Sequence, residues 1–221
     1  MRVTSAILRS EAAATNARAH FGDGYEAWAR RHGLQDWEGF FSGYDETVYG
    51  AVLEDVCEAD TVLDLGAGDL RLALRIADLA ERVYAVEVNP VLVAGALDAI
   101  GLDLPRNLHV ICANGLDVTV PPGVTMAVLL MRHCRHFEVY VERLVEAGCP
   151  RLVTNARWGM GVETIDLTQP PVAFDQVREG WYACRCGATG YVGTGSRPLG
   201  RAIEVASCPR CGESEMVGNQ G

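Results

Sequence analysis

Three groups of residues have the types and spacing to do chemistry. The first is the turn Asp64-Leu65-Gly66-Ala67-Gly68-Asp69, followed about twenty positions later by Glu87. Glycines between a strand and a helix let backbone approach a ligand, because no Cβ stands in the way. The pattern therefore reads as a site for a nucleotide-like cofactor. A dinucleotide site asks for G-x-G-x-x-G/A and an acidic residue about 20 positions on. Gly66, Gly68 and Glu87 fit, but Arg71 stands where the last small residue belongs. Asp64, two places before the first glycine, would repel a pyrophosphate and favour a ligand with an ammonium group or other positive charge.

The second group is Cys184-x-Cys186-Gly187 and Cys208-x-x-Cys211-Gly212, with 21 residues between Cys186 and Cys208. Each pair lies on a tight glycine-bearing turn. Four thiolates suit a tetrahedral structural zinc and leave no open position for catalysis. A redox pair is the alternative. The spacing resembles a zinc ribbon whose first knuckle is one residue short. Cys57, Cys112, Cys134 and Cys149 are scattered singly, and no signal peptide points to an oxidising compartment.

The third group follows two later strands. Ligands of open α/β sheets sit beyond the carboxyl ends of the strands, which draws attention to Arg132, His133 and Cys134 after the fourth strand. Histidine is the side chain most often used as a general base, which makes His133 a candidate, and a histidine that fixes a loop through backbone bonds is the equal alternative. Asn155 and Arg157 follow the fifth strand. With Arg132 they could hold a phosphate or carboxylate of a substrate, or equally pair with the acidic N-terminal cap.

Apolar runs alternate with helical patterns from Thr61 onward, as in a parallel sheet built from βαβ units. Strands are expected at Thr61–Leu65, Arg82–Glu87, Leu108–Ala113, Thr125–Met131 and Arg151–Thr154. Asp69 can cap a helix over Leu70–Leu79, Pro90 can open a helix that Gly101 ends, and residues 137–148 have helical spacing before Gly148. The parallel pattern stops near residue 170.

The stretches "VLDLGAGDL" and "VYAVEVNP" resemble motifs I and II of the class I, Rossmann-like S-adenosylmethionine-dependent methyltransferases. The resemblance covers about residues 55–155. It implies an α/β fold, a Rossmann-like αβα sandwich with a mostly parallel sheet that ends in an antiparallel hairpin, part of it built from residues 160–183. It also implies that Asp64, Gly66, Ala67 and Gly68 form the cofactor turn and that Glu87, with Val88 and Asn89 beside it, serves the ribose. Asn114 and Gly115, with Asp117 as a substitute, fall where the family contacts adenine. Leu70 takes the place of the usual third glycine. The branch with rRNA adenine dimethyltransferases is most similar, but "LLMRHCRHF" replaces its Asn-x-Pro-aromatic motif, which weakens adenine N6 as the target atom.

The 221 residues carry a formal charge of −10 and no lysine, and all the excess acid lies before residue 131. Such a charge argues against a protein whose whole surface grips nucleic acid. No apolar run reaches the ~18 residues of a membrane helix, and a cytoplasmic protein is expected. The expected organisation is a helical cap over 1–50, with Phe40, Phe41 and Tyr44 closing the cofactor site, a methyltransferase domain over 51–176 and a zinc ribbon over 177–221. The function read here is an S-adenosylmethionine-dependent methyltransferase acting on RNA. A methyltransferase of small molecules or proteins, and a non-catalytic docking module, stay open.

Overall fold

The computed structural model describes residues 43–194 and 201–211. Most of the expected cap, Phe40 and Phe41 among it, lies outside these residues. Six strands form one sheet in the order β3-β2-β1-β4-β5-β6: β1 Thr61–Leu65, β2 Arg82–Glu87, β3 Leu108–Cys112, β4 Met126–Leu129, β5 Arg151–Thr154 and β6 Glu163–Asp166. The fold is Rossmann-like, as the alternation of apolar runs and helices predicts.

The described residues divide into two units after Leu129. In the first, β1 runs parallel to both β2 and β4, and β2 runs parallel to β3. All five residues of β1 are buried, as expected of a strand covered on both faces. A polar clasp ties the starts of β1 and β4. Thr125 donates its hydroxyl to Asp60 at 2.7 Å and accepts the Thr61 amide at 3.1 Å, while Asp60 accepts the Cys57 amide. Three helices accompany these strands: α1 Glu46–Leu53, α2 Arg71–Ala77 and α3 Pro90–Ile100. Pro90 opens α3 and Gly101 (φ 60°) ends it, because a left-handed residue cannot continue the helix.

Helix α2 departs from expectation. It is shorter than Leu70–Leu79, and Asp69 does not cap it. The cap position belongs to Leu70, which adopts a left-handed backbone (φ 65°) with no side-chain cap bond. Asp69 instead closes on the next residue but one, taking both the amide and the guanidinium of Arg71. Strands β3 and β4 are also shorter at their ends than the apolar runs suggest.

In the second unit, α4 Phe137–Glu146 ends at Gly148 (φ 73°) and leads into β5. Strand β6 pairs antiparallel with β5, Leu152 opposite Ile165, and supplies the antiparallel edge sought in residues 160–183. Only Ile165 of its four residues is buried, which suits an edge strand. A second sheet of three strands follows: β7 Gly180–Cys184, β8 Thr189–Val192 and β9 Ile203–Val205, in the order β8-β7-β9. Its small core holds Val177, Ala188 and Val205 beside the cysteines.

Candidate functional site

The glycine turn follows β1 directly. Gly66 and Ala67 both donate their amides to the Val86 carbonyl, at 2.8 and 3.0 Å, and Gly68 donates to Glu87 Oε2 at 2.8 Å. Gly66 (φ 77°) and Gly68 (φ 58°) occupy left-handed conformations that a side chain would strain. The turn is thus stitched to the end of β2. Glu87 also accepts the Asn89 amide at 2.8 Å, so its carboxylate is oriented by two backbone donors.

Asp64 and Glu87 are both buried. Asp64 Oδ2 has no hydrogen-bond partner. Burial first, and the nearby Glu87 charge second, push its carboxyl up to about 7. Burial also raises Glu87, with the amides of Asn89 and Gly68 pulling the other way. Two acids with one orphaned oxygen form a site that gains from a positively charged ligand or a hydroxyl donor. Among the neighbouring expected residues, Val88 is half-buried and Asn89 is buried, accepting the Val91 and Leu92 amides to cap α3. Asn114 is exposed just beyond β3, where its side chain accepts the Leu116 amide at 3.0 Å and closes a turn around Gly115. Asp117 donates its amide to the Asn114 carbonyl.

The residues beyond β4 and β5 behave differently from one another. Arg132 and His133 are exposed, while Cys134 is buried. His133 has a left-handed backbone (φ 60°), held by its amide donating to the Ala156 carbonyl at 3.1 Å. Its ring lies 5.1 Å from the ring of Trp158. Asn155 is 3% exposed, and neither its amide nitrogen nor its oxygen has a partner. Arg157, expected beside a substrate anion, is 2% exposed and sits between two carboxylates of the chain itself. It donates to Glu163 at 2.5 and 2.6 Å and to Glu204 at 2.7 and 2.8 Å. Burial lowers its proton affinity, but the bonds and charges of the two glutamates outweigh that and hold it further up than usual. Its fork is filled, and its work is to fasten β9 to β5.

Cys184, Cys186, Cys208 and Cys211 converge, with their sulfurs all within 4.8 Å of one another. Three of the separations are 3.6, 3.7 and 3.8 Å. A tetrahedron with metal–sulfur bonds of ~2.3 Å has edges of about 3.8 Å, so the spacing suits one metal ion. The Cys208 amide also donates to Cys211 Sγ, the kind of bond that steadies a thiolate.

Glycine turn, acidic strand end and Rossmann-like sheet now stand together. The chain is similar to an RNA methyltransferase. It is 35% identical over 80 residues to a probable ribosomal RNA small subunit methyltransferase A of Methanosarcina mazei, a match that spans 36% of this chain and 28% of that protein. The chain thus covers under a third of that relative's length. Solved structures with a similar backbone include the 23S rRNA methyltransferase ErmE (21% identity, TM-score 0.45, 50% of this chain and 46% of that one). Another is TYW2 of M. jannaschii, solved in complex with AdoMet (19%, TM-score 0.43, 52% of each chain). No family profile matches the sequence.

Sequence reasoning did not single out Trp158, Glu163 or Glu204. The aromatic stood in plain view in "TNARW", but its exposure depends on how the loop after β5 leaves the sheet. The partners of Arg157 come from β6 and β9, 6 and 47 residues away in the chain.

Proposed function

We propose that this protein is an S-adenosylmethionine-dependent methyltransferase that acts on RNA. One observation carries the reading. Glu87, oriented by the amides of Gly68 and Asn89, stands beside Asp64, whose buried Oδ2 lacks a partner. Asp64, Gly66, Ala67 and Gly68 would hold the amino-acid end of the cofactor, Glu87 the ribose, and Asn114 with Gly115 the adenine. The cofactor supplies, when bound, a methyl group activated by its sulfonium. The chain's own residues align the acceptor: Asn155 offers both a donor and an acceptor, Arg132 a positive charge, and His133 a base for the proton that leaves. The similarity to a probable rRNA methyltransferase supports RNA as the acceptor. We assign residues 51–176 to the methyltransferase domain and 177–221 to a ribbon in which Cys184, Cys186, Cys208 and Cys211 bind structural zinc.

The test is transfer of tritium from methyl-labelled S-adenosylmethionine into an extract of the source cells, followed by ribonuclease, protease and size filtration. Label released by ribonuclease, and lost with the Glu87→Ala variant, supports the reading. Label in the protein or low-mass fraction overturns RNA as the acceptor, and no transfer with intact cofactor binding overturns catalysis.

A further inference from the structure

We propose that Trp158, with the tilted ring of His133 beside it, is a platform on which a base of single-stranded RNA stacks. The proposal rests on the RNA reading above and adds the residue that grips the acceptor.

Trp158 is 61% exposed, and no other Phe, Trp or Tyr among the described residues is exposed. Leaving the indole in water forgoes the free energy that burying it would contribute. Its backbone is pinned from both sides: its amide donates to the Gly187 carbonyl at 3.4 Å, and its carbonyl accepts the Thr189 hydroxyl at 2.5 Å. The ring is thus presented on a braced loop, whose entropy loss is already met before a ligand arrives.

His133 adds a second plane. The two rings are tilted by 37° with centroids 5.1 Å apart. His133 keeps this position through a left-handed backbone, which is unfavourable for a residue with a side chain. Strain of this kind persists where surrounding structure enforces it, and it clusters at functional sites.

The surroundings point to a nucleic-acid base rather than an apolar peptide. The turn that carries His133 reads Met131-Arg-His-Cys-Arg-His136, and the basic side chains Arg132, Arg135 and His136 are exposed on it, beside the exposed indole. Aromatic platforms among arginines are how proteins hold single strands: every base has a π-face, and the cations track phosphates. Asn155, which immediately precedes the Ala156 whose carbonyl pins His133, is a buried amide with both ends unpaired.

The test uses full-length protein loaded with zinc. Binding of a fluorescein-labelled oligoadenylate of about 12 nucleotides is followed by anisotropy, and methyl transfer to source RNA is measured alongside. Trp158→Ala should weaken oligonucleotide binding about tenfold and raise KM for RNA by a similar factor, with S-adenosylmethionine affinity unchanged. Trp158→Phe should recover to within about threefold. His133→Asn, which tolerates the left-handed backbone but lacks the ring, should weaken binding about threefold. The salt dependence of binding should be the same in Trp158→Ala and wild type, whereas Arg135→Ala should reduce its slope by about one. Wild type that binds and methylates RNA while Trp158→Ala binds within about twofold of it overturns the platform and leaves the RNA reading standing. A Phe variant as weak as the Ala variant also overturns it, because stacking would then not be the cause. Wild type that neither binds the oligonucleotide nor methylates RNA overturns both.

Discussion

Glu87, the last residue of β2, accepts the amide of Gly68 at 2.8 Å, so the acid of one motif is bonded to the glycine of the other. The bond joins residues 19 apart in sequence and orients the carboxylate. Bonds to a charged group contribute about 1.5–3 kcal/mol each. Glu87→Ala removes the acceptor for Gly68 and Asn89 together with the proposed ribose contact. Cofactor affinity should fall at least about a hundredfold, read by calorimetry, and Glu87→Gln should recover part of it. Unchanged affinity in both variants would remove Glu87 from the site.

Asp64 makes stability and binding pH-dependent in a defined direction. Its carboxyl titrates near 7 when folded, against an ordinary 3.8. Between those values the folded chain holds a proton that the unfolded chain has lost. Stability therefore falls as pH rises through that window, at a limiting slope of about 1.4 kcal/mol per unit, and levels off above it. Without cofactor, the melting temperature of Asp64→Asn relative to wild type should climb from pH 4 to 7 and then stay flat. Affinity for the positively charged cofactor should run the other way in wild type, tightening up to about pH 7. Parallel melting profiles in variant and wild type would show that Asp64 ionises normally.

Arg157 is predicted to be a stability residue. Its side chain is 1% exposed, and Glu163 and Glu204 take its donors from two sides. Removing one member of a buried ion network leaves charge unpaired, at a cost of about 3–5 kcal/mol. Arg157→Ala should lower the unfolding free energy from denaturant titration by that amount, and Arg157→Lys should recover little, because an ammonium cannot bond both carboxylates side by side. If Arg157→Ala keeps wild-type stability but raises KM for RNA, the arginine faces substrate after all.

Metal removal should be felt at Trp158. Gly187, which accepts the Trp158 amide, directly follows Cys186, and Thr189 bonds the Trp158 carbonyl. Chelation, or Cys208→Ser, should release about one equivalent of zinc and lower the melting temperature. The part of the fluorescence that disappears in Trp158→Phe should shift at the same time. Zinc loss with that component unchanged would mean that the knuckle does not brace the loop.

Parts of this architecture were legible in the residues. The bounds of β1, β2 and β5 follow from apolar runs, because a strand buried on both faces must be apolar nearly throughout. Pro90 and Gly101 mark α3 because each acts through its own backbone constraint. The Cys pairs were readable for the same reason, since two turns with two thiols each need only to meet. Leu70 shows where such reasoning stops. A fully buried leucine in a left-handed conformation is unfavourable locally by about 1 kcal/mol, yet burying its side chain returns about 2 kcal/mol, and packing wins.

By itself the sequence determined the βα alternation, the acidic glycine turn and the four-cysteine set, because each is written in residues close together in the chain. Only tertiary structure decided the fate of the side chains beyond β4 and β5. Arg157 and Trp158 are adjacent in sequence, and Asn155 is two residues away. One became a buried ion-pair centre, one an exposed ring and one an orphaned amide. Those outcomes depend on β6, β9 and the turn at Gly187, which reach the loop after β5 only when the chain has folded, and no local spacing records such long-range partners.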